Sequence, residues 1–364
     1  MNLVYVCLTV LALSILSVYS LTPFIIKFAR KVNFLDTPGG RKVHKEATPL
    51  LGGLAVFIGF ILITVYIVIT RLHKFDIAIG GYLFGAVLII ITGVIDDKHG
   101  MNPYLKLLGQ IISCLVFIFS NKLFYLFGPV YITMPILLLW IVGLMNALNF
   151  LDNMDGIITG MSGIIALGFY ALSIISRTPQ FSIQASFIAL LSLAFAGSVF
   201  GFLPYNFNPA RIFLGDAGSM FIGYFLATMG ILAGRLTVIV SGNELNYLFS
   251  VLLLSYAIFD ISLVSVTRQR DGRKISQGGR DHSTHRIVTA IGSAKITALI
   301  VYLINIIIVL VTLIVYKMES DNLLILSVVI FALFFLFFGR KLDQVPIVVP
   351  DDQWRKKDKK EKCE

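Results

Sequence analysis

The sequence predicts an all-α membrane protein that crosses the bilayer about eleven times, and three observations predict it. Of its 364 residues, 57% are hydrophobic and only 14% charged, whereas a soluble domain has about a quarter of its residues charged. Mean hydropathy is +0.88. The apolar residues collect in repeated runs of about 18 or more, the length a helix needs to span hydrocarbon. A transmembrane barrel would alternate apolar and polar residues in segments of about ten, and these runs do not alternate.

Taken in order, the runs place spans at 3–28, 50–70, 77–95, 105–120, 131–149, 157–176, 182–203, 217–237, 247–267, 296–316 and 322–339. The stretch 105–149 is split in two around Asn121, Lys122 and Gly128-Pro129, because these residues break a helical run. Residues 1–340 then form a single transmembrane domain, and 341–364 a basic tail. The N-terminus has no basic region and no small-residue cleavage site, so it reads as a retained first span. Gly81/Gly85 and Gly197/Gly201 have the spacing that lets helices pack closely.

Charge fixes the orientation. With this set of spans, 24 of the 30 lysines and arginines fall on one side. The positive side is cytoplasmic, which puts the N-terminus outside and the C-terminus inside. The net charge of +10 is then explained by the membrane and not by nucleic acid, for which no signature exists. Cys7, Cys114 and Cys363 have no paired spacing, so neither a disulfide framework nor a metal site is built on them. No Walker A sequence is present, which disfavours ATP-driven transport.

The same orientation gathers the conspicuous polar stretches on the cytoplasmic side: 41–53, 96–104, 146–156, 204–219 and 268–295. In 146–156, Asn146, Asn149, Asp152 and Asp155 recur at a step of three at the end of an apolar run. Neighbours in this series share a helix face, and ionised groups there need a polar partner. Asp96-Asp97 close the third span, where the helix dipole disfavours anions. Asp216 in Phe213-Leu214-Gly215-Asp216-Ala217-Gly218-Ser219 reads either as an N-cap or as a metal ligand. Phe213, with glycine on both flanks of the Asp, suits a flat ligand beside a metal-bound phosphate. Mg2+ takes only one or two protein carboxylates plus phosphate oxygens, and Asp216 with Asn149 suffice.

His282 and His285, with Arg280 and Arg286, lie on a glycine-bearing basic loop that fits a pyrophosphate or phosphosugar. Positive-inside charge explains the arginines but not the two histidines. Lys45 belongs to a basic first inner loop ahead of Thr48-Pro49 and Gly52-Gly53. Asp260 falls inside a span and reads either as functional or as a hydrogen-bonded structural carboxylate.

Five of these motifs, in order and on one membrane face, carry a family resemblance covering about residues 20–290. They are Thr48-Pro49 with Gly52-Gly53; Asp96-Asp97; Asn146-x-x-Asn149-x-x-Asp152-x-x-Asp155-Gly156; Phe213-Leu214-Gly215-Asp216-x-Gly218-Ser219; and His282-x-x-His285-Arg286. The chain resembles the polyprenyl-phosphate N-acetylhexosamine-1-phosphate transferases. The resemblance implies a catalytic cleft on the cytoplasmic face of a bacterial plasma membrane. It implies transfer of N-acetylhexosamine 1-phosphate, GlcNAc 1-phosphate foremost, from a UDP-sugar to undecaprenyl phosphate, starting a cell-envelope glycan. Mg2+ is the implied cofactor, with Mn2+ as a substitute, and the implied partners are the two substrates and membrane lipid, with a homodimer compatible.

Carried over by position, Asp96 and Asp97 match the acidic pair near the acceptor phosphate, Asp96 being the favoured base. Asn149 and Asp216 match metal positions. Asp155 and Phe213 match residues that hydrogen-bond and stack on uracil, and Asp152 joins the ion or donor network. His282, placed with the catalytic residues, and His285 and Arg286 match the basic motif at the sugar and pyrophosphate, and Lys45 lies near a family lysine. Peptidoglycan enzymes of this family carry three consecutive histidines where this chain has His-Ser-Thr-His, which favours a simple N-acetylhexosamine donor over a muramoyl-pentapeptide. A non-enzymatic transporter is the reading from another class. It would distribute carboxylates through the bilayer midplane, and only Asp260 lies there.

Overall fold

The computed structural model describes residues 3–36, 47–70, 72, 74–274 and 279–346. Thirteen α-helices make up nearly all of it: α1 (Leu3–Lys31), α2 (Gly52–Ile69), α3 (Ile77–His99), α4 (Pro103–Ser120), α5 (Val130–Leu151), α6 (Ile157–Ile175), α7 (Ser182–Asn206), α8 (Gly215–Ser241), α9 (Tyr247–Leu253), α10 (Ser255–Arg270), α11 (Ser283–Ile291), α12 (Ala294–Lys317) and α13 (Asp321–Asp343). Ten are long and apolar enough to cross a membrane; α9 and α10, bent by 70° at Leu254, together make an eleventh. The protein is therefore an all-α, multi-pass membrane protein. The division at 121–129 is real: Lys122 and Gly128 both take positive φ, at 54° and 98°, and α4 and α5 lie on either side.

Helices α6, α7 and α8 form the interior, whereas α1, α4 and α13 show most of their apolar surface to the surroundings. Away from their ends, α12 and α13 expose mainly Ile, Leu, Val and Phe. In water this would be a liability, and in hydrocarbon it is the expected exterior. Inside, Phe60, Phe195, Phe221 and Phe225 form an aromatic block joining α2, α7 and α8, with Phe195 and Phe225 stacked at 3.8 Å.

What positions the site is how closely other helices approach the N-terminus of α8. A Cβ on Gly53 would fall 2.2 Å from the Cα of Gly218, and one on Gly93 2.2 Å from the Cα of Ala217. Only glycine lets α2 and α3 lie backbone to backbone against α8 here. Gly197 and Gly201 do the same for α1, seating it at Leu11 and Ile15. Two backbone bonds lock the junction: Gly52 N–H donates to Phe213 O (2.9 Å) and Gly53 N–H to Leu214 O (2.8 Å). Phe213 N–H donates in turn to Pro49 O at 2.8 Å. Thr48–Pro49 also pairs antiparallel with Leu35–Asp36, a two-residue ladder that ties the end of α1 to the same place.

Candidate active site

Asp96, Asn149 and Asp216 come from α3, α5 and α8, and the side chain that joins them is Lys106 of α4. Its Nζ lies 2.8 Å from Asp96 Oδ2, 2.6 Å from Asp216 Oδ2 and 3.5 Å from Asn149 Oδ1. Asn149 Nδ2 donates to Asp216 Oδ1 and to Ser219 Oγ, both at 2.8 Å. The motif ends at 96, 149 and 216 therefore meet at one end of the bundle. Lys106 was counted above only as one of many positive charges. The signal that could have found it is its spacing: it sits one turn before Gln110, as Asn146 sits one turn before Asn149. Gln110 and Asn146 form a reciprocal amide pair one layer deeper, with Asn146 Nδ2 donating to Gln110 Oε1 at 2.9 Å. Asn146 thus braces α5 against α4 beneath the cluster.

The neighbouring carboxylates of Asp96-Asp97 do different things. Asp96 keeps Oδ2 on Lys106 and takes the Met101 N–H on Oδ1 at 2.7 Å. Asp97 turns to α8 and accepts the N–H groups of Asp216 (2.8 Å) and Ala217 (3.1 Å). It caps a foreign helix, where the dipole and the unsatisfied donors both favour an anion. This decides the alternative at Asp216. Its helix has no side-chain cap of its own, so Asp216 is not the N-cap, and its carboxylate faces the cluster.

Asp152 ends α5. Among the described residues its carboxylate has no hydrogen-bond or ion-pair partner. Burial, then the negative charges of Asp216, Asp97 and Asp155, push its carboxyl well above the ordinary range. It is an oxygen donor held in a position that favours a proton or a cation. Asp155 is engaged instead: its Oδ2 accepts Asn208 Nδ2 at 2.9 Å and Ala210 N–H at 3.0 Å. Asn206 completes this loop, accepting Gly156 N–H and Thr159 Oγ1 and donating to Ile212 O. Phe213, part-buried, follows directly. A recess of about 450 Å³ between Leu203 and Arg211 opens beside this loop.

The basic loop docks onto the acidic one through Thr284 Oγ1, which donates to Asn153 Oδ1 at 2.7 Å, and through Arg268, whose guanidinium lies 5.9 Å from the centre of the Phe150 ring. Two of its members face inward. Arg286 is buried and donates to the carbonyls of Asp281 and Leu342 and to Asp343 Oδ1; in this structure it braces α11 against α13. Asp281 pairs in bidentate fashion with Arg268, at 2.9 and 2.7 Å, and with Arg273 at 2.9 Å. Burial alone would raise its carboxyl, but the bonds from Arg268 and the charges around it hold it below the ordinary range.

His285 is pushed down to about 4 by burial, then by His282 and Arg280 beside it. It is a neutral imidazole at pH 7. His282 is buried with Nδ1 2.7 Å from Asp260 Oδ2. Asp260, left open between two readings by the sequence, is fully buried and hydrogen-bonded. Lys45 lies outside the described residues, as does the tail beyond 346.

A helical membrane bundle that gathers carboxylates, an amide and a lysine at one end, beside histidines and arginines, is suited to a phosphorylated substrate at a membrane surface. The family described as Glycosyl transferase family 4 matches residues 79–234, the stretch that contains this cluster. The chain is 30% identical over 302 residues, 80% of either chain, to the probable undecaprenyl-phosphate N-acetylglucosaminyl 1-phosphate transferase of Bacillus subtilis. It is 30% identical over 298 residues to the decaprenyl-phosphate N-acetylglucosaminephosphotransferase of Mycobacterium tuberculosis, covering 76% of this chain and 74% of that one. To the phospho-N-acetylmuramoyl-pentapeptide-transferase of Enterococcus faecalis it is 34% identical over 228 residues, 57% of this chain and 68% of the relative. The chain belongs to the polyprenyl-phosphate N-acetylhexosamine-1-phosphate transferase family.

Among the described residues, no three His, Cys, Asp or Glu side chains converge as a metal ligand set. A Mg2+ ion does not need three, because it keeps water and substrate phosphate oxygens in most positions. The oxygens of Asp216, Asn149 and Asp152 are the hard donors it takes. Asp216 and Asn149 already touch each other, and Asp152 offers a carboxyl, unpartnered among the described residues, that feels the charge of Asp216. The residues present fit the ion.

Proposed function

We propose that the chain transfers N-acetylglucosamine 1-phosphate from UDP-GlcNAc to undecaprenyl phosphate, at the cytoplasmic face of a bacterial plasma membrane, and so starts a cell-envelope glycan. The meeting of Asp96, Lys106, Asn149 and Asp216 at one point carries the reading. It offers one cation and several oxygen donors where two phosphorylated substrates would have to be brought together.

In this reaction an oxygen of the lipid phosphate attacks the donor phosphorus that bears the sugar. The bond from that phosphorus to the UMP oxygen breaks, and UMP leaves. Asn149, Asp216 and Asp152 would hold Mg2+, which supplies neutralisation of the donor pyrophosphate. Lys106 holds Asp96 and Asp216 apart in charge and contributes a cation of its own. The acceptor phosphate, with a second pKa near about 6, is largely dianionic at neutral pH. Asp96 therefore has only to position it or to take a residual proton. Both carboxylates of the acidic pair are already engaged, Asp96 with Lys106 and Asp97 with the start of α8. That favours direct attack over a covalent aspartyl intermediate.

The test incubates purified protein with Mg2+, undecaprenyl phosphate and, separately, UDP-GlcNAc, UDP-GalNAc and UDP-MurNAc-pentapeptide, and measures UMP. Release with UDP-GlcNAc is expected. Release with the pentapeptide donor alone would assign the chain to the muramoyl branch, and no release from any donor would refute the enzyme reading.

A further inference from the structure

Asp260 lies in α10, within the eleventh span-length segment, and is fully buried. An intramembrane carboxylate is costly unless every oxygen is satisfied. Here one oxygen, Oδ1, takes two donors from Ser283, the backbone N–H at 2.8 Å and the hydroxyl at 2.5 Å. The other, Oδ2, faces His282 Nδ1 at 2.7 Å. The Ser283 hydroxyl is itself held by Tyr256, 3.0 Å away. The three donors arrive on a group that can only accept.

This arrangement leaves the imidazole no choice. Nδ1 carries the proton that Asp260 accepts, so of the two neutral tautomers only the one with a bare Nε2 keeps this bond. Nε2 has no partner among the described residues. The ring is beside His285, with centroids 6.3 Å apart, on the loop that docks through Thr284 onto Asn153, in the turn that carries Asp152 and Asp155. We propose that Asp260 is a positioning residue for the transfer reaction, fixing His282 in the Nδ1–H form so that Nε2 is presented to the donor sugar-phosphate as an acceptor. The inference about turnover rests on the transferase reading above; the inference about the ring does not.

The substitution Asp260→Asn makes a specific chemical prediction. The Ser283 donors keep the Asn oxygen on their side, so the Asn NH2 faces Nδ1 and donates to it. The tautomer inverts: Nδ1 becomes the acceptor and Nε2 gains the proton. The experiment labels histidine with 15N in the full-length protein in lipid nanodiscs and assigns His282 by its loss in His282→Gln. The wild type should show a protonated Nδ1 and a bare Nε2, and Asp260→Asn the reverse. In the UMP assay, Asp260→Asn should lower kcat at least about tenfold while KM for the UDP-sugar changes less than about threefold. Combining it with His282→Gln should cost no more than the worse single variant, because both act through one ring.

A wild-type ring protonated at Nε2 overturns the proposal, and that measurement needs only the His282→Gln assignment variant to fold, not Asp260→Asn. Additive losses in the double variant, or an unchanged kcat with an inverted ring, also overturn it. If the wild type transfers nothing from any donor, the functional reading fails while the 15N spectrum still decides the Asp260–His282 pairing.

Discussion

Replacing Lys106 by methionine keeps the length of the stem and removes the ammonium. It leaves Asp96 and Asp216, both within 2.8 Å of Nζ in the native protein, facing each other without a cation. Taking one partner from a buried ion pair costs about 3–5 kcal/mol. Lys106 and Asp96 are 15% and 12% exposed and meet that condition, but Asp216 is 37% exposed and partly screened. The loss should therefore sit near the lower figure, about 3 kcal/mol, which lowers the melting temperature by about 4 °C for a chain of this length. The sign of a second substitution makes the test sharp. In the wild type, Asp216→Asn removes a partner from Lys106 and destabilises. In Lys106→Met the same change relieves repulsion and stabilises.

The measurement is thermal unfolding of the four proteins in one detergent and lipid, without divalent ions, followed by a repeat with MgCl2. A divalent cation should restore part of the stability of Lys106→Met. Turnover of Lys106→Met should fall about 100-fold or more, the usual cost of removing a charge aimed at a phosphoryl transition state. If Lys106→Met melts within about one degree of wild type, or if Asp216→Asn destabilises both backgrounds equally, the cluster is not the coupled unit described here.

Two further outcomes follow from the same geometry. The Asp152 carboxyl is raised by burial and by neighbouring carboxylates, so the folded chain holds that proton more tightly than the unfolded one. Its contribution is present below the unfolded value of about 3.9 and is lost as pH rises through the raised folded value. Asp152→Asn should accordingly melt higher than wild type at pH 8, with the gap closing towards pH 4, and should lose most of the stabilisation that Mg2+ gives. An Asp152→Asn protein that keeps full Mg2+ stabilisation would remove this residue from the ion's donor set. Gly53→Ala puts a Cβ 2.2 Å from both N and Cα of Gly218, where only backbone can yield. It should cost about 1–3 kcal/mol or more and weaken UMP binding by calorimetry; Gly143→Ala, with nothing within 4 Å, is the control and should be neutral.

The membrane helices were legible because bilayer thickness writes itself into run length, and each of the eleven runs has its helix or bent pair. The break at Leu254 was not legible. No Pro or Gly marks it, and Leu254 itself is buried, so the bend comes from packing and not from local chemistry. The members of the acidic cluster were legible as types, since polar residues at the end of an apolar run must meet something. Their division of labour was not. Asp155 and Arg286 look in sequence like contacts for a ligand alone, whereas Asp155 Oδ2 and the Arg286 Nε and Nη1 groups are bonded to this chain's own loops and helix ends. Lys106 was hidden for the opposite reason: a lysine near the end of a membrane helix is so well explained by the positive-inside rule that nothing singles it out.

The clamp that Asp97 places on the first N–H groups of α8 has a bearing on genetics. A survival screen would score Asp96 and Asp97 as equally intolerant, and would suggest two copies of one reagent. The causes would differ. Loss of Asp97 frees the start of the helix that carries Asp216 and disturbs the turn into which α2 is bonded. Abundance in the membrane should therefore fall along with function. Loss of Asp96 also takes a partner from Lys106, but Lys106 keeps Asp216 and no helix start is freed, so protein levels should fall less. Paired measurements of growth and of surviving protein would separate a missing strut from a missing reactant, two lesions that share a phenotype and sit one residue apart.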